Sequence, residues 1–467
     1  MKEIVSIHVG QCGNQMGYDF WEGVCQEHGI QPDMTCNNED MTQYNNTYFD
    51  EIDQNRWVPR AVLVDLEPGV HNNIANLPYG AIFNPDYIYH DQPGAGNLFA
   101  SGFYSVGSEI IEEVMEGIRK HAEKWEALEA FQLTHSIGGG TGSGLGSRIM
   151  QEIKCEFSDK MLSWYTVVPS KTVSNVVLEP YNSILALNHL IEEWDSNILI
   201  DNEALYAIAQ NSLKQKDITF SFINKIIKRA IIDSTSSLRF GGFNNSGVRK
   251  LLTNLCPFPR MHFMTTTIAP VSNMTDSAYD VMGPKEIVRE LFSSKNSLWM
   301  AELSHGKMLS GAAIFRGKME SSSAEEALAG VKLKNSGNFV EWIPDSLLSS
   351  VWQVPSLDYP QSAILLWNST SVQTIFKRLD EQFIPMFNRK AFIHHYIEQG
   401  LDWSEMTEAR MNVLDLTNEY QQYENWEEME VDEENEPEEV ERIHFKTSRS
   451  CASIPDHHST HASSTRE

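Results

Sequence analysis

An apolar run, Ile4 to Val9, gives way to Gly10-Gln11-Cys12-Gly13-Asn14-Gln15. Apolar positions at helical spacing follow, Phe20, Trp21 and Val24, and stop at His28-Gly29. Strand, glycine loop and amphipathic helix thus succeed one another, and the succession returns along the first two hundred residues. Ala61 to Val64 reads as a strand ending in Asp65-Leu66-Glu67-Pro68-Gly69, with two carboxylates at its C-terminal edge. Gly94-Ala95-Gly96-Asn97 is a small-residue loop before a helical stretch, Val106 to Ala122. Phe131 to Ile137 is a strand, Gly138 to Gly144 a loop, and a helix starts near Leu145. Trp164 to Val168 is a strand before Pro169, and a long helix runs from Glu179-Pro180-Tyr181-Asn182 to Trp194. Residues 31 to 56, polar and Asn-rich, read as a surface excursion. Such alternation predicts an α/β fold, a mostly parallel, Rossmann-like sheet with helices on both faces and its loops gathered at one edge.

Past Asp201-Asn202-Glu203 the pattern changes. Phe222, Ile223, Ile226, Ile227, Ala230 and Ile231 make a helix too apolar on its wide face for the surface, a spine between two domains. After Pro257-Phe258-Pro259-Arg260 come β-rich runs at His262 to Ile268, Ala312 to Phe315 and Phe339 to Ile343, the mark of a second, mixed α/β domain. From Ser371 two helices dominate. Val372, Ile375, Phe376, Leu379 and Phe383 form the stripe of one; Val413, Leu414, Leu416, Tyr420 and Tyr423 lie on the other, which Asp402 can cap with Glu405. The expected organisation is a nucleotide-binding domain over 1–203, a core helix and intermediate domain over 204–370, a helical hairpin over 371–423 and a disordered acidic tail with an extension over 424–467.

The chain has 467 residues, 41% hydrophobic and 10% aromatic, a globular composition. No apolar run reaches the length of a membrane span, and the opening strand leaves no room for a charged-then-apolar leader. The cysteines at 12, 25, 36, 155, 256 and 451 form no C-x-x-C pair and are expected to be reduced thiols. A net charge of −28 argues against a nucleic-acid partner. Eleven Asp or Glu against one Arg lie between Glu424 and Arg442, a self-repelling run that either solubilises the tail or draws basic proteins. His457, His458 and His461 beyond it could bind metal, although a solvated tail is the simpler reading.

The chemistry centres on Gly138-Gly139-Gly140-Thr141-Gly142-Ser143-Gly144. Five glycines in seven positions permit φ > 0 and close ligand approach, so successive N–H groups can turn onto an anion. The following helix adds its unpaired N–H groups and the positive end of its dipole, and Thr141 and Ser143 add hydroxyl donors. A flexible linker is the bland alternative, but linkers are seldom flanked by a buried-looking strand and an amphipathic helix. No lysine follows the last glycine, which excludes the usual P-loop. No G-x-G-x-x-G register fits, which weakens an oxidoreductase reading.

The four segments Gly10 to Gln15, Asp65 to Gly69, Gly138 to Gly144 and Glu179 to Asn182 stand in the order and spacing of tubulin, and the chain resembles that family from Met1 to about Glu424. Asn202-Glu203-Ala204-Leu205, Arg249-Lys250-Leu251, Pro257 to Arg260 and the absence of a long insertion around Pro355 to Ala363 resemble the β type. The resemblance implies GTP or GDP in the cleft. Ser136, Gly140, Thr141 and Gly142 would hold the phosphates together with Gln11, while Cys12 and Asn97 would also contact nucleotide. Glu67 would hold Mg2+. Asn202 and Asn224 would read the guanine edge, and Phe220 would stack on the base where a tyrosine is usual. It further implies an α-tubulin partner, further dimers in microtubules, basic filament-associated proteins or motors on the acidic tail, and a cytoplasmic, cytoskeletal location, specialised filaments such as cilia included. In the family the next subunit supplies an acidic residue for hydrolysis; Lys250 stands at that position, so no catalytic residue is expected in this chain alone.

Departures accompany the resemblance. Asn175 replaces an Asp at the ribose, Lys171 replaces a Pro, and Ser272 to Asp280 carries two Asp and no Arg where lateral contacts form. These raise the alternative of a divergent tubulin that caps or modifies specialised filaments. Removing residues 424–467 is expected to leave nucleotide binding intact and to weaken salt-sensitive binding of basic filament-associated proteins, which cosedimentation across a salt series measures.

Overall fold

The computed structural model describes residues 3–425 except 125–126, 172–175, 194, 241–246, 273–281, 301–305 and 344. In chain order the strands are β1 (Glu3–Val9), β2 (Phe49–Asp53), β3 (Arg56–Pro59), β4 (Ala61–Asp65), β5 (Ile88–His90), β6 (Leu128–Ser136), β7 (Met161–Val168), β8 (Ser196–Asp201), β9 (Phe263–Ala269), β10 (Met308–Gly317), β11 (Leu347–Trp352) and β12 (Gln361–Ser369). Ten of them make one sheet in the order β11-β10-β12-β9-β8-β7-β6-β1-β4-β5. From β9 to β5 every neighbouring pair is parallel. β12 runs antiparallel to β9 and β10, and β11 parallel to β10. From β1 the chain moves outward to β4 and β5, then returns to β6 on the other side of β1 and continues to β7 and β8. That reversal is a topological switch point, where an open α/β sheet leaves a crevice beyond its strand ends.

The expected mostly parallel sheet with helices is therefore the fold. Particular elements differ. Residues 31–56 are not only surface: β2 and β3 pair as a hairpin, and Tyr48, Phe49 and Trp57 are buried, with Phe49 5.3 Å from Trp21 and Tyr48 5.7 Å from Phe20, ring to ring. Three apolar anchors among Asp, Asn and Glu do not show as a pattern. Phe339 to Ile343 is not a strand. A 3-10 turn over Ser336–Asn338 precedes it, and its apolar Phe339 and Val340 fill core space after a single bridge to Met308.

The spine helix is longer than its apolar stripe, Phe220–Arg239. Its second half reads Asp233-Ser234-Thr235-Ser236-Ser237, a polar run that is nonetheless buried. Hydroxyls folded back onto the helix make this possible: Ser234 and Thr235 donate to Ile231 O at 2.9 and 2.8 Å, and Ser236 to Asp233 O at 2.6 Å. Around it lies a buried ion network. Arg239 Nη1 reaches Glu27 Oε2 at 2.7 Å, Arg316 Nη2 reaches Glu27 Oε1 at 2.8 Å, and Arg316 Nη1 reaches Asp233 Oδ1 at 2.8 Å. Arg316 comes from β10, Glu27 from the first helix, Gly10–His28, so the network crosses from one half of the sheet to the other. Arg239 also donates to His28 Nε2 at 3.3 Å, and burial with that cationic neighbour holds His28 neutral, its pKa lowered to about 3.

The two C-terminal helices run Gln373–Asn388 and Trp403–Glu424, with the expected Asp402–Glu405 capping box and a short helix, Ile393–Glu398, between them. They lie against both sheet halves: Phe383 packs edge-on to Tyr181 at 5.2 Å and Phe376 edge-on to Phe263 at 5.2 Å. Glu424 accepts a hydrogen bond from Gln373, so a truncation that spares this packing starts after Asn425. The tail beyond, with its acidic run and histidines, lies outside the described residues. Cys12, Cys25, Cys36 and Cys256 are free thiols, whereas Cys155, near the end of helix Gly146–Glu156, is disulfide-bonded, against the expectation for it. Among the described residues no helix is long and apolar enough to cross a membrane.

Arg316→Ala would leave Glu27 and Asp233 as buried carboxylates short of a partner, and is expected to lower stability by about 3–5 kcal/mol, measured by chemical unfolding of the full chain.

Candidate functional site

Three loops meet at the C-terminal ends of β1, β4 and β6. Gly10, with φ 74°, turns β1 directly into helix Gly10–His28, and a Cβ there would stand 3.0 Å from the Gly142 nitrogen. Asn14, fully buried, donates from Nδ2 to Gly10 O and to Val64 O, both at 2.9 Å, pinning this turn to the end of β4. Gln11 is left exposed at the crevice. Cys12 is beside it, its thiol pushed up to about 12 by burial, so it offers a neutral sulfur contact and no nucleophile.

The glycine loop after β6 departs from its expected geometry. None of Gly138, Gly139, Gly140, Gly142 and Gly144 has positive φ. Thr141–Leu145 instead form a π turn that runs straight into helix Gly146–Glu156. The glycines are required by close approach: a Cβ on Gly140 would stand 2.6 Å from Leu98 N, and one on Gly142 2.5 Å from Ser136 O. Gly139 alone of these three faces open space. A helix that begins inside the loop still presents first-turn N–H groups and a positive dipole end to the crevice. Ser143 is not a donor to it; buried, it donates to Gly139 O within its own turn. Ser136 lies half-buried with Oγ accepting from Gly138 N at 3.3 Å. His135 braces the turn from beneath. Its Nδ1–H donates to Gly142 O at 2.8 Å and Nε2 accepts from Thr166 Oγ1 at 2.9 Å, a neutral tautomer kept by burial, which lowers the pKa to about 4.

On the β4 side Asp65 is buried and its pKa is raised to about 6 by desolvation, with the charge of Glu67 adding to the rise. Leu66 N–H donates to Oδ1 at 2.8 Å, and the Thr141 hydroxyl opposes the rise from across the crevice, yet Oδ2 is left without a well-formed hydrogen bond. Glu67 is exposed and rests on the loop of Gly94, where a Cβ would stand 2.5 Å from its Oε1. Asn97, exposed with φ 57°, closes that loop. Among the described residues no three of His, Cys, Asp and Glu converge as metal ligands. Asn182, in the helix Glu179–Glu192, joins the loops: Nδ2 donates to Asn97 O at 2.8 Å and Gly138 O at 2.9 Å, and Oδ1 accepts from Phe99 N at 2.9 Å.

The other three expected residues sit elsewhere around the crevice. Asn202, half-buried, opens helix Asn202–Ala207 at the end of β8, capped by Asp201, which accepts from Glu203 N at 3.0 Å. Phe220 opens the spine helix with 58% of its surface exposed, a bare ring. Asn224, buried one turn on, is hydrogen-bonded to Asp19, whose pKa burial raises to about 6. Asp19 lies eight residues along the first helix from Gln11, about 12 Å. Lys171 is exposed; Asn175 and residues 273–280 lie outside the described residues.

Residues 3–210 match the family model for the GTPase domain of the Tubulin/FtsZ family, and residues 259–381 match that for the tubulin C-terminal domain. The chain belongs to the tubulin family. It is accordingly a guanine-nucleotide-binding protein of cytoskeletal type. Sequence reasoning gave no role to Asn14, His135 or Asn182, because their work is to hold backbone carbonyls of other loops. Asn14 stands inside a glycine-rich motif, His135 just before one in β6 and Asn182 in Glu179-Pro180-Tyr181-Asn182, and that placement is the signal they leave.

Gly142→Val would strike the Ser136 carbonyl before it reached any ligand, so both thermal stability and nucleotide retention should fall. Gly139→Ala should keep stability within about 1 kcal/mol while reducing retention, since its Cβ meets no protein atom. Unfolding temperature and nucleotide content of the two purified variants distinguish these outcomes.

Proposed function

We propose that the chain is a β-type tubulin, which holds GTP or GDP with Mg2+, pairs with an α-tubulin and joins further dimers in microtubules. The observation that carries the reading is the place of Lys250. Its helix, Val248–Leu255, is fixed by Arg249, which donates to Asp159 O at 2.8 Å just before β7 begins and approaches Glu129 at the start of β6. That is the N-terminal edge of the parallel sheet, whereas the crevice lies at the C-terminal edge. The eight steps of β6 between them span about 26 Å. An exposed Lys250 cannot serve its own chain's nucleotide, but head-to-tail stacking would carry its helix to the crevice of a neighbour.

In this reading Gln11, Ser136, Gly140, Thr141 and Gly142 face the phosphates, with Cys12 and Asn97 beside them, Phe220 stacks on the base, and Asn202 and Asn224 read the guanine edge with amides that both donate and accept. Glu67 and the unpartnered Oδ2 of Asp65 suit Mg2+, which needs few protein ligands when phosphate oxygens and water complete its shell. The ion would neutralise phosphate charge. A protonated lysine cannot take a proton from water but can stabilise charge on a neighbour's phosphate, so the carboxylate that directs water has to come from the partner. The acidic tail draws basic filament-associated proteins or motors, and the setting is the cytoskeleton of the cytoplasm.

Guanine nucleotide should elute when the purified chain is denatured, and the monomer should turn GTP over at a negligible rate. Added α-type partner should raise turnover in step with head-to-tail contact, read from phosphate release beside electron micrographs. Brisk hydrolysis by the isolated chain would sink the composite site, and open or capped filaments in place of closed tubes would favour a specialised role.

A further inference from the structure

We infer that the C-terminal helices position the nucleotide cleft from outside, Tyr396 holding its phosphate side through Asn182 and Arg378 holding its base side through Asp201. The inference rests on the reading of the crevice as a guanine-nucleotide site. Tyr396, fully buried on the short helix between the two long ones, donates its hydroxyl to Asn182 Oδ1 at 2.7 Å. With that bond the Asn182 side chain makes all four of its hydrogen bonds, two given to Asn97 O and Gly138 O and two taken from Phe99 N and Tyr396. Each remaining partner is a backbone group, Asn97 O and Gly138 O in loops lining the crevice and Phe99 N at the start of the helix that follows the first of them. Tyr396 thus fixes the rotamer of a side chain that ties the Gly94–Asn97 loop to the glycine loop.

The second brace is ionic. Arg378, in Gln373–Asn388, grips Asp201 with both nitrogens, Nη1 to Oδ2 at 2.8 Å and Nη2 to Oδ1 at 3.2 Å, and adds Pro169 O at 3.3 Å and Glu203 Oε2 at 3.4 Å. Asp201 is fully buried and caps the helix whose first residue is Asn202. A planar guanidinium orients that carboxylate in a way a lysine cannot, and the carboxylate orients the start of the helix. Tyr181 supplies a comparison within the same layers: its ring packs edge-on to Tyr396 at 5.6 Å, but its hydroxyl donates to Ala391 O at 3.0 Å and so joins the helices to one another.

Tyr396→Phe, Tyr181→Phe and Arg378→Lys in the full chain separate positioning from simple packing. Tyr396→Phe should weaken GTP and inosine triphosphate alike, by about five- to tenfold, the loss of one hydrogen bond. Arg378→Lys should instead shrink the preference for GTP over inosine triphosphate, because the base corner is what it aims. Tyr181→Phe should leave both affinities unchanged. Hydrogen exchange adds a readout that needs no nucleotide: amides 97–99 and 138–142 should exchange faster in Tyr396→Phe only. Equal effects of the two tyrosine variants, or lowered unfolding temperatures with unchanged affinities and exchange, would overturn the inference. A wild-type chain that bound no guanine nucleotide would overturn the reading of the site, while the exchange rates would still decide the brace.

Discussion

Two backbones meet where the turn after β1 touches the turn after β6, Gly10 against Gly142, so close that a Cβ on Gly10 would stand 3.0 Å from the Gly142 nitrogen. The crevice depends on this approach. Only when the first helix and the helix after the glycine loop both start at the sheet edge can their first-turn N–H groups face one space. Backbones held this close leave carbonyls that water cannot reach, and each needs a donor. Asn14 supplies one for Gly10 O and Val64 O, His135 for Gly142 O, and Asn182 for Asn97 O and Gly138 O. The polar residues around the site are thus consequences of its glycines.

Charge is handled differently in the two regions where it is buried. Around the spine helix Arg239, Arg316, Glu27 and Asp233 are sealed from water and pair with one another, so desolvation is offset by contacts of 2.7 to 2.8 Å. At the crevice burial raises the Asp65 pKa, and the neighbouring charge of Glu67 adds to the rise. The first arrangement pairs opposite charges within the chain and joins the two halves of the sheet.

The outer helices belong to the same economy of contacts. Phe376 and Phe383 attach them by packing, which holds them close but sets no fine geometry. Tyr396 and Arg378 add directional bonds at the two places where a loop must be aimed. The surface those helices present outward is therefore mechanically joined to both ends of the crevice.

Much of this was legible in the chain itself. Alternation of strand, glycine loop and helix determined a parallel sheet, and parallel strands carry their loops to a common edge, so convergence of the loops after β1, β4 and β6 followed from pattern alone. Strong local signals such as the Asp402–Glu405 cap also survived folding unchanged. What failed were places where burial overrode composition: Tyr48, Phe49 and Trp57 hidden among acids and amides, the Ser-rich half of the spine helix, and Phe339 to Ile343, apolar yet no strand beyond a single bridge. Only the tertiary structure decided why the glycines are there. Composition suggested left-handed turns, but the constraint is the Ser136 carbonyl and the Leu98 nitrogen pressing against them, residues made neighbours by the sheet and the loop beside it. Steric fit and hydrogen-bond partners are properties of pairs distant in sequence, whereas the periodicity of a single segment records only which of its faces is buried.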